Sequence, residues 1–123
     1  MHLRMDGIAR RMELLCSPER LEAWLRGCVS FVGMTVIGEP RVVSFPGSNG
    51  GGELTKMPGL SGDVILAESA VMVHTWPENG LVCVDIFSCK PFDVQQAAGF
   101  VRKSFDMSDY RWDATPRPLG MEA

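Results

Sequence analysis

Apolar and polar positions follow two rhythms along this 123-residue chain. From Leu21 the apolar residues Leu21, Trp24, Leu25, Cys28, Val29 and Val32 recur three and four apart. That spacing lines one face of a helix. Ser17-Pro18-Glu19 supplies its start: a capping hydroxyl, a proline at the first helical position and an acid on the positive end of the dipole. Gly33 marks its expected end. Asp93 can cap a second helix whose inner face is Val94, Ala97, Ala98, Val101 and Phe105. Elsewhere the pattern is that of short strands: residues 3–9, 35–37, 41–44, 63–67, 71–75, 81–88 and 110–114. Asn79-Gly80 predicts a tight turn between the runs 71–75 and 81–88. Strands outnumber helices, and each helix has a single apolar stripe. The simplest solution is an α+β fold, a two-layer sandwich in which a largely antiparallel sheet carries two helices on one face.

Composition narrows the class. The length is that of one domain, residues 1–123, able to bury a core without metal or disulfides. Nearly half of the residues are apolar, 46%, yet no run approaches the ~20 residues that span a bilayer. No charged-then-apolar leader is evident, so neither a membrane nor a secreted location is expected. The 12 basic residues form no dense patch and the net charge is −3, so no nucleic-acid partner is expected. Cys16, Cys28, Cys83 and Cys89 show neither a disulfide framework nor a CxxC pair. The reading is therefore a cytoplasmic protein without a metal site. The glycine-rich segment 47–52 lacks the Gly-Lys-Ser/Thr ending of a phosphate loop and reads as a connection or lid.

The chemistry concentrates in residues 61–89. Ala67-Glu68-Ser69 is followed, five residues after the serine, by His74-Thr75-Trp76-Pro77-Glu78, and Cys89 closes the segment. Taken singly, each residue has a bland reading: a turn serine, a strand histidine, a core tryptophan, a turn glutamate, a small buried cysteine. Taken jointly, the spacing resembles that of the small prokaryotic S-adenosylmethionine decarboxylase proenzymes.

The resemblance implies a specific chemistry. The chain would cut itself between Glu68 and Ser69 into fragments 1–68 and 69–123. Ser69 would become a pyruvoyl group, the covalent cofactor, whose ketone takes the substrate amine and accepts the electrons released as CO₂ leaves. It further implies Ser61 and His74 as processing residues and Cys89 as the acid that returns a proton to the substrate carbon; on a strand, Cys89 would share a face with Cys83, Asp85 and Phe87. Trp76 would stack on adenine and Glu78 would accept hydrogen bonds from the ribose. Asp6 falls where the family's first strand carries an acid. The implied fold is an α+β sandwich, the implied assembly a homodimer of processed protomers, and the implied role polyamine (spermidine) synthesis.

The chain departs from the family pattern at several positions. Ala70 follows the serine in place of histidine, Asp63 replaces an apolar residue, and Lys90 replaces the glycine after the cysteine. The position of the family's second aromatic holds Thr55, with Phe45 as a substitute only if the loop folds back. Two alternatives therefore stand beside S-adenosylmethionine: a relative acting on arginine or ornithine, with Asp63 or Asp85 receiving the cationic side chain, and a noncatalytic regulatory paralogue.

Overall fold

The computed structural model describes residues 1–45 and 58–119. The segment 47–52 and Thr55 lie outside these described residues. The chain runs β1 (His2–Ala9), α1 (Met12–Cys16), α2 (Pro18–Val32), β2 (Arg41–Phe45), β3 (Gly59–Ile65), β4 (Ser69–Trp76), β5 (Leu81–Ser88), α3 (Val94–Phe105) and β6 (Met107–Thr115). The strands form one sheet in the order β2-β3-β4-β5-β1-β6, every neighbouring pair antiparallel. The expected α+β architecture is therefore observed.

Alternation along the strands sorts the side chains. In β4, Ser69, Val71, Val73 and Thr75 are buried, whereas Ala70, Met72, His74 and Trp76 are not. The first set faces the helices, where Leu21, Leu25, Cys28 and Val29 of α2 meet Ala97, Ala98, Val101 and Phe105 of α3 in one apolar cluster. Trp24 packs its ring 4.9 Å from that of Phe105. Each fully buried Leu, Val or Phe contributes about 1.5–3 kcal/mol over its exposed state, so this face drives folding. Among the described residues no helix lies over the opposite face. It presents Val43, Ile65, Met72 and Phe87 as exposed apolar residues among polar ones.

The local signals act as expected. Ser17 Oγ accepts from the Arg20 amide, and Asp93 Oδ1 accepts from the Gln96 amide. Helix α2 ends at Gly33, and Gly80 takes a positive φ of 70° in the turn between β4 and β5. Three differences stand out. Residues 35–37 do not form a strand and make a single bridge, Val36 to Leu66. The five-residue helix α1 has no side-chain cap and was not expected. Cys89 is not on a strand with Cys83, Asp85 and Phe87, because β5 ends at Ser88 and the chain bends there.

Candidate active site

The bond between Glu68 and Ser69 lies in a two-residue turn. The Leu66 amide donates to the Ser69 carbonyl at 2.8 Å and the Ser69 amide to the Leu66 carbonyl at 3.4 Å, leaving Ala67 and Glu68 as the loop. Tight hairpin turns of this length favour residues with positive φ. Neither Ala67 nor Glu68 has one, so neighbouring segments must hold the turn. The Ala67 amide donates to the Thr35 carbonyl at 2.9 Å from one side. From the other, the Cys89 amide donates to the Glu68 carbonyl at 3.0 Å. The carbonyl that a Ser69 hydroxyl would attack is thus already polarised by a backbone N–H, the type of donor that stabilises a developing oxyanion. Ser69 itself is buried, and its Oγ donates to Met34 Sδ at 3.0 Å. Glu68 extends its carboxylate to Lys90 Nζ at 2.6 Å.

A second cluster sits farther along the same sheet. Ser61 on β3 is opposite His74 on β4, and their side chains meet, Oγ to Nδ1, at 3.0 Å. Opposite His74 on its other side is Cys83, and opposite Cys83 is Asp6. Ser61, His74, Cys83 and Asp6 therefore form one row across the uncovered face. Burial pushes the Cys83 thiol up to about 12, with the Asp6 carboxylate and then Asp85 adding to the shift. That thiol stays protonated at neutral pH. Next to the row, the ring of Trp76 lies 6.1 Å from that of His74 and 6.4 Å from that of Phe45. Phe45 reaches Trp76 directly from β2, without any loop folding back, because Gly59 lies between them: a Cβ there would run into the Phe45 ring and come within 2.7 Å of the Thr75 carbonyl oxygen. Glu78 is exposed in the turn beyond Trp76.

These clusters do not meet within one chain. Ser69 and His74 are five residues apart on a single extended strand, which separates their backbones by about 16 Å. The odd spacing also sends their side chains to opposite faces. Cys89, expected to join the strand face, instead stands beside Glu68. Sequence reasoning missed Met34, Lys90 as a partner of Glu68, and Cys83 as a neighbour of His74. Only the period-2 spacing of Cys83 in β5 hinted at the last. Asp63 and Asp85 are already engaged, by Arg41 at 3.4 Å and by His2 at 2.9 Å, which does not favour their holding a basic substrate. Among the described residues no group of three or more His, Cys, Asp or Glu could hold a metal ion, and no helix is long and apolar enough to cross a membrane.

Comparison with known proteins places the chain in a family. The family model of S-adenosylmethionine decarboxylase matches residues 1–118. The chain belongs to that family. Among curated relatives, the S-adenosylmethionine decarboxylase proenzyme of Thermoplasma acidophilum is 34% identical over 88 residues, 72% of this chain and 59% of its own length. The proenzyme of Archaeoglobus fulgidus is 44% identical over 54 residues, 43% of this chain and 48% of its own. The match thus spans about half to three-fifths of the length of these two relatives. The crystal structure of the adenosylmethionine decarboxylase from Aquifex aeolicus superposes with a TM-score of 0.75 over 94% of this chain and 88% of that one, at 22% identity. At that identity the likeness establishes the shared fold.

Proposed function

We propose that this family member is a proenzyme that cuts itself between Glu68 and Ser69 and then decarboxylates S-adenosylmethionine in the cytoplasm, supplying spermidine synthesis. The observation that carries the reading is the tight turn whose Glu68 carbonyl accepts the Cys89 amide. In the break, Ser69 Oγ adds to the Glu68 carbonyl carbon, the peptide C–N bond opens, and the hydroxyl proton passes to the Ser69 nitrogen. A base then removes the Ser69 Hα, and Glu68 leaves as a carboxylate. Loss of ammonia to water converts residue 69 to a pyruvoyl group. That group supplies a ketone conjugated to an amide, an electron sink for loss of CO₂. Cys89, one residue beyond β5 and held by its amide to the Glu68 carbonyl, is the proton donor of the reading. Trp76 offers a nucleobase a stacking face beside Phe45, worth about 1–3 kcal/mol for a stacked base. Glu78 is assigned to the ribose hydroxyls.

His74 suits the base role because a neutral imidazole carries a ring nitrogen that can accept a proton. At about 16 Å along the strand it cannot serve the Ser69 of its own chain. A second copy stacked on the uncovered sheet face resolves both facts. It covers Val43, Ile65, Met72 and Phe87, and it lays the Ser61–His74–Trp76 row of one chain against the same sheet face of the other, where the Glu68–Ser69 turn closes the β3–β4 hairpin. We therefore read the active form as a homodimer with two shared sites.

Complementation tests this. Ser69→Ala and His74→Ala chains, each expressed alone, are expected to stay at full length by intact-mass spectrometry. Co-expressed, they should assemble mixed dimers in which only the His74→Ala chain is cut. Absence of any cut chain in the mixture would count against sharing between copies. A wild-type chain that stays whole on long incubation would overturn the proenzyme reading itself. CO₂ release from S-adenosylmethionine, but not from arginine or ornithine, is the expected substrate result.

A further inference from the structure

Glu68 is gripped at two points by one short segment. The Cys89 amide holds its carbonyl at 3.0 Å, and Lys90 Nζ holds its carboxylate at 2.6 Å. The Glu68 side chain is only 21% exposed, while that of Lys90 is 58% exposed, so the ammonium covers a carboxylate otherwise turned into the protein. Lys90 is itself anchored, since its amide donates to the buried Ser88 Oγ at 2.9 Å. Ser88 in turn lies opposite Ser69 in the β4–β5 pairing. The ammonium therefore reaches Glu68 from a backbone fixed against the residue that would attack it.

We propose that Lys90 is a positioning residue for the chain break and the counter-charge for the carboxylate that the break releases. The inference rests on the self-cleavage reading above. Before the break, the ion pair fixes the residue whose carbonyl carbon Ser69 Oγ must approach. Formation of the ester from the amide creates no net charge. The elimination that follows does: the Hα goes to the base, the Cβ–Oγ bond breaks with its electron pair, and Glu68 acquires an α-carboxylate. Glu68 then carries two negative groups. One oxygen of the new carboxylate is the former carbonyl oxygen, which the Cys89 amide already contacts. The Lys90 ammonium, already on the side-chain carboxylate of the same residue, offsets the added charge. Its largest effect thus falls on the elimination, and it retains the end of the 1–68 fragment at the site.

The test uses full-length chain with Lys90→Met, which keeps the stem and removes the charge, and Lys90→Arg, which restores it. Conversion is followed by intact mass, and the ester is read by hydroxylamine, which releases it as a Glu68 hydroxamate and an N-terminal serine. Lys90→Met is expected to slow cutting about tenfold and to raise the hydroxylamine-sensitive fraction, since elimination is slowed most. Lys90→Arg should recover most of the rate. A role confined to folding would move the thermal melt but not the ester fraction. Wild-type chain that is cut while Lys90→Met is cut at the same rate with the same ester fraction would overturn this inference alone. A wild-type chain that is never cut would remove both this inference and the reading beneath it.

Discussion

Thr75 stands between His74 and Trp76 and is wholly buried. Its Oγ1 donates to the Leu15 carbonyl of α1 at 2.9 Å and accepts from the Leu60 amide of β3 at 3.1 Å. Thr75→Val keeps the shape and removes both bonds. The two losses differ. Leu66 and Ser69 exchange a pair of ladder bonds, and antiparallel pairs of that kind recur every second residue, so Leu60 and Thr75 also form one. The Leu60 amide therefore retains a backbone acceptor. The Leu15 carbonyl belongs to the last turn of α1, where no intrahelical donor is available. Leu15 is fully buried, so that oxygen loses its partner without gaining water. A buried acceptor left unsatisfied costs about 1–3 kcal/mol, and the lost second bond adds up to about 1. We expect about 3 kcal/mol, a fall in Tm of roughly 10–15 °C for a chain of this size. Thr75→Ser keeps the hydroxyl and loses one methyl, for about 1 kcal/mol. Both are compared by urea and thermal melts in the Ser69→Ala background, so that the chain stays whole. A Thr75→Val loss below about 0.5 kcal/mol, or a Thr75→Ser loss as large as that of Thr75→Val, would refute the reasoning.

Other expectations follow from the same geometry. Cys89→Ala should still be cut, because the hydrogen bond from Cys89 to Glu68 comes from its backbone amide, but its decarboxylation should not be sustained; full steady turnover would remove the thiol from the proton-donor role. At pH 8, iodoacetamide should reach Cys89 before Cys28 and Cys83, whose thiols burial pushes up to about 12; peptide mapping that found Cys83 labelled first would contradict the raised thiol beside His74. Trp76→Ala should chiefly raise KM for S-adenosylmethionine, by roughly tenfold for one lost stacking face; an unchanged KM would move the nucleobase elsewhere.

Much of this molecule is written locally. The start of α2 at Ser17-Pro18, the cap of α3 at Asp93 and the turn at Asn79-Gly80 each depend on a few neighbouring residues, and each is where the pattern places it. The alternation of β4 and β5 is equally local, since successive side chains must point to opposite faces. The motif from Glu68 to Cys89 was legible for the same reason: its residues are close in sequence. The short helix α1 was not, because it has no cap and draws its support from Thr75, 60 positions away. What the chemistry needs was decided by pairing between distant strands. Antiparallel register sets Ser61 against His74 and holds Glu68 between Cys89 and Lys90. The bare backbone of Gly59 lets Phe45 reach Trp76. Residues five apart in the motif looked like members of one site, yet an extended strand carries them about 16 Å apart and onto opposite faces. Sequence proximity names the parts; the rigid length and alternation of β4 hold Ser69 and His74 apart within one chain.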